Sequence, residues 1–166
     1  MKPDGTKQTT RREFLLAAGG IVAGIAIEPA MAATPIGASR TIAGVAATLQ
    51  AIRKVVGEAP VNKGKVTLDL PELVDNGNAV PLTVRVDSPM TPADYVKAIH
   101  VFTQKNPLPD VATFRLGARA GRAVVATRMR LADTQTVIAI CELSDGTFWS
   151  GTADVVVTLA ACLEEL

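Results

Sequence analysis

One histidine, two cysteines and an aromatic share of only 4% leave few chemical options to this 166-residue chain. A single imidazole excludes a histidine-rich metal centre. Two thiols and one imidazole also fall short of a zinc site built from Cys and His, which needs four such ligands. Four phenylalanines, one tyrosine and one tryptophan are too few to line a stacking surface for bases or sugars. Seventeen basic against sixteen acidic residues give a net charge of +1, so no electrostatic footprint for nucleic acid is present. No motif for a cofactor appears, and no base is paired with a nucleophile as an enzyme would require. What remains is a 48% hydrophobic chain, long enough for one domain and an appendage.

Its first 32 residues read as an export signal rather than part of the fold. Arg11 and Arg12 stand side by side, followed by Glu13-Phe14-Leu15-Leu16. An Ala- and Gly-rich apolar stretch covers 15–27, and Ala30-Met31-Ala32 offers a small-x-small cleavage site. That layout is a twin-arginine leader. The competing reading is a membrane anchor, but about 13 apolar residues fall short of the ~20 that a helical span needs. Cleavage after Ala32 leaves a neutral mature chain with thirteen basic and thirteen acidic residues, expected in the periplasm and free of the membrane.

The period of the apolar residues then changes. Ile42, Val45, Leu49, Ile52 and Val56 fall at helical spacing, with Ser39 or Thr41 placed to cap the helix and Gly57 to end it. A leader helix and linker are therefore expected over 33–64. From Lys65 the period is two, as in Val80, Leu82, Val84 and Val86. Strands are expected over 65–70, 80–86, 96–102, 111–116, 122–131, 135–143 and 148–159. Turn signals separate them, among them Asn76-Gly77, Ser88-Pro89 and Ser144-Asp145-Gly146. About seven short strands at this spacing predict an all-β fold, an immunoglobulin-like antiparallel sandwich over 65–159, preceded by one short helix. The strand over 135–143 is apolar on both faces, so part of its cover is expected from another subunit. His100 alternates into a strand as a buried or edge residue. Arg122, Arg128 and Arg130 share one face of theirs, either solvated or turned to a partner or an anion.

The two thiols differ. Cys141 shares parity with Val137, Ala139 and Leu143 and reads as core. Cys162 lies past the last strand, in the segment 160–166, where a thiol can be reached. Either the two form a disulfide, which needs the tail to fold back onto the 135–143 strand, or Cys162 is a thiol put to use.

Several strings form a series: Asn76-Gly77 with Val80-Pro81, Asp87-Ser88-Pro89-Met90-Thr91, Asp94-Tyr95-Val96-Lys97 and Asn106-Pro107. Arg128-Met129-Arg130-Leu131-Ala132, Ser144-Asp145-Gly146 and a Val-rich last strand leading to Cys162 complete it. Taken together, these strings resemble the SoxY family, the sulfur carriers of bacterial thiosulfate oxidation. The resemblance implies a carrier and not an enzyme. It implies an immunoglobulin-like sandwich paired with a SoxZ-like subunit and visited by sulfur-processing enzymes, with Cys162 holding the sulfur substrate covalently. The family's arm reads Gly-Gly-Cys-Gly-Gly, whose glycines let it thread narrow sites. This chain departs there. Ala160 and Ala161 precede the cysteine, and Leu163 and Glu164 follow it, extended by Glu165. Alanine restricts the backbone, Leu163 adds bulk, and the carboxylates repel anionic adducts. Two functions stay open: a covalent carrier using Cys162, or a binding subunit that keeps the SoxZ-type interface and has lost carriage. A variant associated with quinoprotein dehydrogenases is a related form of either.

Overall fold

In the computed structural model of the chain, residues 36–159 are described, with side chains from Ile42 onward. The proposed export signal, with Arg11 and Arg12, lies outside the described residues. So does the arm, with Ala160, Ala161, Cys162, Leu163 and Glu164. A helix, α1 (Ile36–Val56), comes first. Nine strands follow: β1 (Val61–Lys63), β2 (Val66–Asp69), β3 (Leu73–Val74), β4 (Val80–Val86), β5 (Val96–Thr103), β6 (Asp110–Arg115), β7 (Val124–Met129), β8 (Gln135–Leu143) and β9 (Phe148–Val157). One sheet runs β1-β9-β8-β5-β6, with β3 also on β9, and the other runs β2-β4-β7. The immunoglobulin-like sandwich expected from the alternating pattern is present. The inward row Val80, Leu82, Val84 and Val86 is buried, against Ile99, Val101, Val137 and Ala139 of the facing sheet. Burying such a row is the main favourable term in folding, at about 25 cal/mol per Å² of apolar surface.

Two elements were not expected. β1 and β3 pair parallel with β9, whereas the sequence suggested an antiparallel sandwich and a linker up to residue 64. Three and two residues are too short to show a period. Three strands are also shorter than expected: β2 covers only Val66–Asp69, β7 begins at Val124 and ends at Met129, and β9 stops at Val157.

The helix corrects the sequence reading more. It begins at Ile36, so Ser39 and Thr41 lie inside it and cannot cap it. Gly57 does end it, with φ +62° and its N–H donating to Arg53 O at 2.8 Å. Of the expected apolar stripe, Ile42 is 68% and Leu49 54% exposed, while Thr48 is buried. The small residues decide the orientation. A Cβ on Gly44 would run into the carbonyl oxygen of Gln104, so the helix backbone lies directly on the chain leaving β5. Thr48 Oγ1 sits 2.9 Å from the carbonyl oxygens of Gly44 and Thr103, a shared donor in the dry interface. Val56 closes a second small core with Phe102, Ile140 and Phe148, and Ala51, Ile52 and Val55 pack against it. The chain's own helix therefore supplies cover over Ile138 and Ile140 of β8.

Candidate functional site

The residues that carried the family resemblance are mostly corner pieces of the scaffold. Asn76 Oδ1 accepts from Asn78 N at 2.9 Å and starts a short 3-10 turn, Gly77–Ala79. Ser88, Pro89 and Met90 carry the chain from one sheet to the other. There Met90 adopts φ +51° and its buried sulfur accepts from Val96 N at 3.4 Å. Ser144 Oγ accepts from Tyr95 N at 3.2 Å, holding the β8–β9 loop to the start of β5. Asn106 is a hub. Its Nδ2 donates to Arg130 O, and its Oδ1 accepts from Ala132 N and from Gln135 Nε2, all at 2.9 Å. Each of these satisfies backbone groups that a loop would otherwise leave unpaired.

Together they build a fixed root for the segment that bears Cys162. Thr158 N donates to Val74 O at 3.0 Å, and Gly77 N donates to Leu159 O at 2.9 Å. Leu131 N in turn donates to Gly77 O at 2.9 Å, and Val157 N donates to Thr134 Oγ1 at 3.0 Å. Residues 157–159 are thus tied to β3, to the Gly77 turn and to the β7–β8 loop. The sequence signalled the turn through Asn76-Gly77 but not the tie, because a backbone N–H meeting a backbone carbonyl leaves no mark in residue type.

Cys141 faces the core at the other end of the same strand pair. It is fully buried, lies opposite Trp149 on β9, and burial pushes its thiol up to about 11. The disulfide to Cys162 considered from the sequence ends on a residue outside the described ones. The thiol of Cys141 is free and buried, the core residue that its parity indicated.

His100 is buried on the helix side of β5. Its Nδ1 is 3.0 Å from Thr113 Oγ1, its ring stacks on Phe102, and its Nε2 has no partner. Burial lowers its pKa, against the opposing pull of Asp110 and Glu142, while Arg115 adds to the lowering. The neutral ring is thus the folded form, and the unfolded chain binds the extra proton first as pH falls. Thermal stability is expected to be flat above about pH 6.5 and to fall progressively below it. His100→Phe, which keeps the stack on Phe102, flattens that acid limb in melts recorded across pH. An unchanged limb would place its origin elsewhere. Among the described residues no three His, Cys, Asp or Glu side chains converge as a metal site would need.

Arg122, Arg128 and Arg130 are exposed, as their shared parity indicated. Among the described residues the ion pairs are Lys97–Glu142 and Lys105–Asp133, at 3.1 and 2.9 Å, and neither involves these arginines.

The family model described as sulfur oxidation protein SoxY matches residues 52–162, a span that includes Cys162. Among solved structures, the sulfur carrier protein SoxY from Chlorobium limicola f thiosulfatophilum is similar at 29% identity and a TM-score of 0.58. The match covers 69% of this chain and 99% of that one. A superoxide reductase (neelaredoxin) from Ignicoccus hospitalis matches at 15% identity and a TM-score of 0.51, over 57% of this chain and 80% of that one. A putative superoxide reductase from Thermotoga maritima matches at 20% identity and 0.50, over 59% and 87%. At those identities the two reductases share the fold alone. No curated protein sequence matches the chain.

Proposed function

The chain belongs to the SoxY family of sulfur oxidation proteins, and from that premise we propose that it is a periplasmic sulfur carrier whose attachment point is Cys162. The family match and the likeness to the Chlorobium carrier support a Sox-type sulfur carrier, a class without catalytic activity of its own. One observation carries the assignment of the site. Backbone hydrogen bonds tie Thr158 and Leu159 to the sandwich, three residues before Cys162 in sequence, while the other thiol is sealed in the core. A carrier needs a thiol that visiting enzymes reach, and Cys141 does not meet that requirement.

The export signal at Arg11 and Arg12 and a SoxZ-like partner belong to the same proposal. A second reading, a binding subunit that no longer carries sulfur, is favoured by one feature: Ala160, Ala161, Leu163 and Glu164 stand where the family has glycines. It shares the partner and the compartment with the first reading and differs only in the chemistry of Cys162.

Co-expression of the full chain with a SoxZ-like protein tests the shared part. A 1:1 heterodimer is expected in the periplasmic fraction, and Arg11→Lys with Arg12→Lys should hold it in the cytoplasm. A monomer that ignores such a partner in sizing and pull-down, or a double variant that is exported normally, overturns the corresponding half.

A further inference from the structure

Charge is segregated in this chain although its total is near zero. Residues 111–132 hold five arginines, at 115, 119, 122, 128 and 130, and no carboxylate. The remainder after Ala32 holds eight basic and thirteen acidic residues. All five arginines are exposed, on β6, on β7 and on the loop that joins them. β6 and β7 are edge strands, one in each sheet, so one side of the sandwich carries two open edges and the whole basic cluster.

The pairing of β7 shows which of its backbone groups are open. Val86 N donates to Ala123 O at 2.9 Å. From there the register runs without a shift from Arg85 opposite Val124 to Val80 opposite Met129. Hydrogen-bonded and non-hydrogen-bonded positions alternate along an antiparallel pair. Val125, Thr127 and Met129 therefore turn their N–H and C=O groups to β4, while Val124, Ala126 and Arg128 turn theirs to the open side. Among the described residues these open groups meet only a long contact, from Thr127 Oγ1 to Arg128 O at 3.5 Å. The edge stops at Arg130, whose carbonyl accepts from Asn106 Nδ2. The side chains of Val124, Ala126, Arg128 and Arg130 are all exposed on the outer face, and Arg85 of β4 is exposed beside Val124.

We propose that the open edge of β7 takes up an acidic strand of a partner protein, which extends the β2-β4-β7 sheet by one strand. The backbone calls for a strand, because three consecutive outward N–H and C=O pairs at ladder spacing are answered by another ladder. The side chains call for carboxylates. A residue opposite Arg128 on the added strand would have its Cβ about 5 Å away, within reach of paired guanidinium–carboxylate hydrogen bonds. Val124, 39% exposed, offers a small apolar contact between Arg85 and Arg128. The same arginines exclude a second copy, since pairing β7 with β7 would bring like charges together across the joint. Nucleic acid has no backbone ladder to offer, and no aromatic side chain stands on β7 or on the outer face of β4 to stack on a base. The inference goes beyond sulfur carriage and does not rest on it, since the edge is open whatever Cys162 does.

Amide hydrogen exchange of the mature chain, followed by NMR, tests it with a cyclic β-hairpin peptide whose free strand reads Thr-Glu-Val-Glu-Val-Glu-Thr. Without the peptide the amides of Val124, Ala126 and Arg128 should exchange fast, and those of Val125, Thr127 and Met129 slowly. With it, the first three are expected to slow at least about fivefold, and less so as salt is raised to about 1 M. The same hairpin with Lys in place of Glu should leave them fast. Arg128→Glu with Arg130→Glu should exchange the two results, so that the lysine hairpin protects and the glutamate hairpin does not. Ala126→Pro removes one open N–H without touching the ladder to β4, and should abolish protection by the glutamate hairpin. If the proline variant fails to fold, the charge-reversed pair still decides. Amides that stay fast with the glutamate hairpin overturn the docking site, as does equal protection by both hairpins. Protection that grows with the chain's own concentration overturns it too, by assigning the edge to a second copy.

Discussion

Exposure of the reduced mature chain to tetrathionate is expected to leave one adduct, removed by dithiothreitol, which Cys162→Ala abolishes and Cys141→Ala leaves intact. The reaction balances without an external oxidant. The Cys162 thiolate attacks one of the two inner sulfurs of tetrathionate and expels thiosulfate. The cysteine is left as a thiosulfonate, and the thiol proton goes to solvent. Cys141 fails on both requirements for such an attack. It has no solvent-exposed surface, and with its thiol pushed up to about 11, only about one molecule in 10⁴ carries a thiolate at pH 7. The contrast between the variants should therefore be close to all or none in intact-mass spectra. The flanks set the rate and not the outcome. Glu164 and Glu165 repel a dianionic reagent, so Glu164→Gly with Glu165→Gly should quicken labelling, most at low salt. An adduct on Cys141, or none on either cysteine, would favour the subunit that has lost carriage.

The distribution of what the sequence disclosed follows its physics. Val80, Leu82, Val84 and Val86 announced a strand because alternation is the direct image of a half-buried pleat, and all four are buried. Cys141 was legible by the same parity. Ile42 and Leu49 misled, because a stripe of large residues implies a packed face only where nothing smaller competes. Here Gly44 and Thr48 let the helix backbone lie against the sheet, and close approach outweighs the burial of two larger side chains. β1 and β3 were invisible because each owes its existence to β9 rather than to its own pattern. The proposed site divides the same way. Asn76-Gly77 and Asn106 were noticed as family-like residues, but their work, fixing Leu159 and the β7–β8 loop, runs through backbone groups that any residue carries. The glycine-free flanks of Cys162 were plain in the sequence.

Gly151→Val should be the most destabilising single substitution in β9, against the preference of strands for β-branched residues. Propensity alone favours valine here, by up to about 1 kcal/mol on host scales. The site reverses the sign. Gly151 sits in mid-strand opposite Ala139, where β2 of the facing sheet crosses β9. A Cβ there would overlap the carbonyl oxygen of Val66 and lie 2.9 Å from Leu68 Cδ1 and 3.0 Å from the Val66 carbonyl carbon. The first obstacle is backbone, which cannot rotate away as a side chain can. Moving it means separating β2 from β9 and opening the core around Val66 and Val155. Overpacking of this kind costs about 1–3 kcal/mol when the neighbours can adjust and more when they cannot. We expect at least about 3 kcal/mol lost in urea unfolding for Gly151→Val and a smaller loss for Gly151→Ala. The next residue supplies the control. Thr152 is exposed on the opposite face, so Thr152→Val should change stability by under about 0.5 kcal/mol. Equal losses at 151 and 152 would mean that the two sheets are not held as closely as the contact with Val66 requires. The consequence reaches the site, because β9 is the strand whose far end is tied to Gly77. A Gly151→Val chain that still folds should label at Cys162 as the parent does only if the root at Leu159 has kept its bonds.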